Sequence, residues 1–120
     1  MKLRSIEFLT NPQGEVEVRA DNKVFTYTPE HKELTDELFP VIQEDYPRAF
    51  EGLSELYAKS AANIPWFKYK VVDRFARCNW ARYTKTNDID EHGRFQFEEV
   101  ECPIKKECKY HNVICNPRYN

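Results

Sequence analysis

Hydrophobic and polar positions alternate strictly through Glu15-Val16-Glu17-Val18-Arg19-Ala20, and a β-branched and aromatic run, Lys23 to Thr28, follows a short polar break. A period of two sends one face of each segment to a core and the other to water, so both read as strands. Asn11-Pro12-Gln13-Gly14 and Ala20-Asp21-Asn22 supply the turns, because these residue types favour the dihedral angles that turns require. Residues 1–28 are therefore predicted to form a β-hairpin or a three-stranded meander.

The period then lengthens. Thr28-Pro29 has the form of an N-cap followed by proline at the first helical position, which predicts a helix reaching Asp45, bent or broken at Pro40. Tyr46-Pro47 starts a second helix, with Ala49, Phe50, Leu53, Leu56 and Tyr57 on one face, and the stretch Ser60 to Pro65 ends it. Pro65 opens a third helix predicted to run to Tyr83. Phe67, Val71, Phe75 and Cys78 share its apolar face, and Lys70, Arg74 and Arg77 form a stripe beside it. Cys78 thus points to the core side near the end of that helix. A polar loop follows, and Arg94 to Val100, with Phe95 and Phe97 alternating, reads as a strand leading to Cys102. The predicted fold class is α+β: an N-terminal β-hairpin, three helices and a metal-stabilised C-terminal loop region. One domain spans 1–120, divided into a hairpin (1–28), a helical part (29–83) and a strand plus metal-binding tail (84–120).

A chain of 120 residues, 41% apolar and 14% aromatic, is long enough for one modest core. Its net charge of -2 exerts no global pull toward nucleic acid or membrane. The opening residues lack the continuous apolar stretch of a signal peptide, and no run approaches a membrane span, so a cytoplasmic location is expected. The near-neutral sum hides a division. Residues 29–56 carry eight acids against two bases, whereas residues 66–85 carry six bases against Asp73 alone. One acidic and one basic face are predicted, suiting a protein partner or self-association.

Three of the four cysteines, Cys102, Cys108 and Cys115, crowd into the last 21 residues, and 23 residues separate Cys78 from the first of them. In a reducing compartment, clustered thiols point to metal ligation rather than disulfides. Four thiolates can close a tetrahedral zinc site. Beyond Val100 the apolar residues are few, chiefly Ile104, Val113 and Ile114, so a bound metal would supply the ordering energy that burial cannot. The spacing contains no Cys-x-x-Cys knuckle and leaves alternatives open. Cys102-Pro103 matches one ligand of bacterial ferredoxin runs, which keeps an iron–sulfur cluster in view; unligated or disulfide-bonded cysteines are the remaining case. Cys78 alone could be an ordinary buried cysteine, in which case His111, between Cys108 and Cys115, would be the fourth ligand.

The stretch from Arg74 to Asn120 resembles the N-terminal region of a family of bacterial and phage transcriptional regulators. In these, Arg-Cys-Asn on a helix is followed by Asp-Ile-Asp…Gly…Phe-x-Phe-Glu-x-Val-x-Cys-Pro, then Cys-x-Tyr-x-x-x-Ile-Cys-x-Pro, and usually a LuxR-type helix-turn-helix domain. The helix motif falls here on Arg77-Cys78-Asn79, and the opening hairpin and the Asp45-Tyr46-Pro47 turn also fit. By position, the family's cysteines fall on Cys78, Cys102, Cys108 and Cys115. The resemblance implies these four as the metal ligands and leaves His111 outside the pattern. The sequence ends at Asn120, where the family's DNA-reading domain would begin, so the resemblance does not carry a DNA-binding role onto these residues.

Other signals are weaker. Asp88, Asp90, Gly93 and Glu99 fit four positions of a calcium loop, but His92 sits where a hard oxygen ligand is needed, and a polar turn explains the same letters. Lys70, Arg74 and Arg77, flanked by Trp66, Tyr69, Trp80 and Tyr83, could form a small nucleic-acid-binding module on the third helix; a solvated helix face is the commoner meaning. With three glycines, no phosphate loop and no His-Glu-x-x-His, an enzyme is not expected. The expected function is a non-enzymatic, zinc-binding regulatory or interaction domain.

Overall fold

Asn11 organises the first turn. Its side-chain oxygen accepts the backbone N–H groups of Gln13 (3.0 Å) and Glu15 (2.9 Å). Gly14 closes the turn at φ +82°, a conformation that side-chain-bearing residues rarely adopt. The structure, a computed structural model, describes residues 5–20, 23–80, 88–96 and 113–114. Strands β1 (Glu7–Thr10), β2 (Val16–Ala20) and β3 (Lys23–Thr26) form an antiparallel sheet in the order β1-β2-β3. Phe8 pairs with Val18 and Val18 with Phe25, so Val16, Val18 and Ala20 fall on the buried face, as their alternation requires.

Three helices follow: α1 (Lys32–Asp45), α2 (Pro47–Leu56) and α3 (Ile64–Asn79). The predicted α+β class is the one observed. The start of α1 differs from expectation. Thr28 does not cap the helix; its N–H and hydroxyl bond His31 Nδ1 at 3.2 and 3.1 Å, and His31 N–H bonds the Thr28 carbonyl at 3.0 Å. That closed turn delays the helix to Lys32. Pro40 does not break α1 either. It lies on the exposed face, where water can satisfy the carbonyl that its missing N–H leaves unbonded.

The end of α3 comes earlier than Tyr83. Asn79 turns its side-chain amide onto the Phe75 carbonyl (3.0 Å), and Trp80 leaves the helix at φ -134°. Trp80 is 1% exposed and stacks on Phe8 of β1 at 4.7 Å. Its edge contacts reach Phe75 of α3 at 5.4 Å and Phe95 at 5.3 Å, and its indole N–H donates to the Gln96 carbonyl at 2.8 Å. Residues 88–96 lie beside β1, through Ile6–Ile89 backbone bonds of 2.9 Å in both directions and an Ile89–Phe95 bridge. The remainder of the predicted strand, Phe97–Val100, lies outside the described residues.

Trp80→Ala is expected to destabilise the fold by about 3–5 kcal/mol. Trp80→Phe is expected to cost less, because a ring remains against Phe8, Phe75 and Phe95, and the lost part-buried bond to the Gln96 carbonyl contributes about 0.5–1.5 kcal/mol. Denaturant titration of the two variants checks both values and their order.

Candidate metal centre

The last turn of α3 carries Cys78, half-buried at the margin of the core. Helical spacing places Arg74 one turn before it, and the Arg74 Nε–H donates to Cys78 Sγ at 3.2 Å. Burial works against the charge on Arg74, yet Cys78 and the Tyr57 hydroxyl outweigh it and hold the guanidinium above the usual arginine range. A cationic donor against sulfur favours the thiolate, which is the form that binds metal. Cys78 is thus reachable and electrostatically suited to ligation.

The next residue makes a long-range connection. Asn79 Nδ2 also donates to the Ile114 carbonyl at 3.0 Å, across 35 positions of sequence, and Ile114 is 1% exposed within the core. The residue preceding Cys115 is therefore held against the residue following Cys78. Cys102, Cys108, Cys115 and the alternative ligand His111 all lie outside the described residues. Among the described residues, no three His, Cys, Asp or Glu side chains converge on a point that could hold a metal.

The calcium-like segment is organised as a turn. Asp88 is buried and its carboxylate accepts the Phe8 N–H at 2.6 Å. Asp90 accepts the N–H groups of His92 and Arg94, both at 2.9 Å, and Gly93 sits at φ +80°. The backbone bonds from Arg94 and His92 hold the Asp90 carboxyl below the usual range. The fourth residue of that pattern, Glu99, is outside the described residues.

Sequence reasoning places Arg74 in a surface stripe and misses its contact with Cys78, for which their four-residue spacing is the available signal. Nothing local announces the Asn79–Ile114 bond. The basic stripe itself is uneven. Arg77 pairs with the buried Asp73 at 2.8 Å, and Lys70 lies 5.6 Å from the Tyr57 ring and 5.5 Å from the Trp66 ring. No helix among the described residues is long and apolar enough to cross a membrane.

Burial pushes the Asp73 carboxyl above the usual carboxylate range, although Arg77 and Lys70 pull it back. The folded state therefore binds this proton more readily than the unfolded state, so stability is lost as pH rises from the ordinary aspartate range through the raised value. Asp73→Asn is expected to remove that loss. The difference in Tm, variant minus parent, should grow as pH rises through this window; thermal melts from acid to neutral pH measure it.

Compared with protein-family models, curated proteins and solved structures, the chain matches none.

Proposed function

We propose that this chain is a non-enzymatic regulatory or interaction domain in which zinc, held by the thiolates of Cys78, Cys102, Cys108 and Cys115, fastens the C-terminal segment to the end of α3. The observation that carries this reading is the buried Asn79–Ile114 bond, which ties the sequence neighbours of Cys78 and Cys115 together. The Arg74 N–H on Cys78 Sγ supports it, because such donors stabilise a metal-bound thiolate. When bound, zinc would supply structural cross-linking rather than chemistry, since four protein ligands leave no open position for a reactant.

The relation to LuxR-type transcriptional regulators of bacteria and phages belongs to the same proposal, as does a cytoplasmic location, where thiols stay reduced. An iron–sulfur redox-sensing domain is the second reading, favoured by Cys102-Pro103. Binding of nucleic acid through α3 is weak in this proposal, given the net charge of -2.

Elemental analysis of protein purified without oxygen is expected to find one zinc per chain in a colourless sample; a brown, iron-containing sample would support the cluster. Cys108→Ser should lower both zinc content and Tm, and unchanged zinc occupancy would contradict the site. Cys78→Ala should release metal while His111→Ala retains it, and the reverse pattern would move the fourth ligand to His111.

A further inference from the structure

The acidic and basic blocks of the sequence become two helix faces with matching spacing. On α1, Leu34, Leu38 and Ile42 are buried, and Glu37, Pro40 and Glu44 are exposed on the other side. On α3, Val71, Asp73, Phe75 and Ala76 are buried, and the outward stripe is formed by Trp66, which is 42% exposed, half-buried Lys70 and exposed Arg77. Glu37 and Glu44 are seven residues apart, and so are Lys70 and Arg77. Two helical turns separate each pair by about 10.5 Å. Laid side by side in parallel, the helices put both acids opposite both bases, while Asp73, between the two bases in sequence, is buried against Arg77, so that no acid meets an acid.

We infer that the exposed face of α3 docks on the exposed face of α1 of a second copy of this chain. This rests on the interaction-domain reading above and names its partner. Trp66, already packed on Tyr69 at 5.4 Å, is the apolar anchor, and charge complementarity sets the register. A contact between different faces is heterologous, so each copy offers one acidic and one basic face. Exposed ion pairs are screened by salt, so the association weakens as ionic strength rises.

Sedimentation equilibrium over a range of protein concentrations tests this, with zinc content measured in the same samples. The parent chain is expected to self-associate at low salt and to dissociate at high salt. Lys70→Glu should weaken self-association at least tenfold with zinc content and circular dichroism unchanged, and Trp66→Ser should do the same without altering charge. A chain carrying both Lys70→Glu and Glu37→Lys should regain self-association for parallel helices, and one carrying Lys70→Glu with Glu44→Lys for antiparallel ones. A parent chain that stays monomeric with zinc bound would overturn the inference while leaving the metal site intact. Restoration in neither double variant would also overturn it, as would a monomer that binds a single-stranded oligonucleotide through Lys70 and Trp66.

Discussion

Trp80 is the residue on which the described parts of the fold converge. Its ring meets β1 through Phe8, α3 through Phe75 and the 88–96 segment through Phe95, and its N–H is committed to the Gln96 carbonyl. A large ring placed immediately after a helix can do this only if the chain leaves the helix there. The early end of α3 and the seating of residues 88–96 beside β1 are two aspects of one constraint. Aromatic contacts of this kind contribute roughly 0.5–1.5 kcal/mol each beyond the area they bury, so no single neighbour decides the arrangement.

The same helix end carries Asn79 and Cys78. Because Trp80 fixes where the chain turns, Asn79 faces inward and can reach both the Phe75 and Ile114 carbonyls. Cys78, one position earlier, stays at the margin with Arg74 against its sulfur. The proposed metal site thus borrows its rigidity from the aromatic core.

Much of this is legible in the sequence where a local rule operates alone. The period of two in β2 and the helical spacing of Leu53 or Val71 express burial directly. Thr28-Pro29 misleads because His31, three residues on, supplies a competing partner for Thr28 and closes a turn instead. The helical pattern of α3 continues past Asn79, and only contacts with β1 and residues 88–96, distant in sequence, stop it. Of the candidate site, Cys78 on its helix can be read locally, whereas the Asn79–Ile114 bond joins positions that no periodicity connects.

X-ray absorption at the zinc edge tests the closed four-cysteine site most directly. The account expects a first shell of four sulfur atoms at about 2.3 Å. A shell containing nitrogen at about 2.0–2.1 Å, or no zinc signal in protein purified without oxygen, would contradict it.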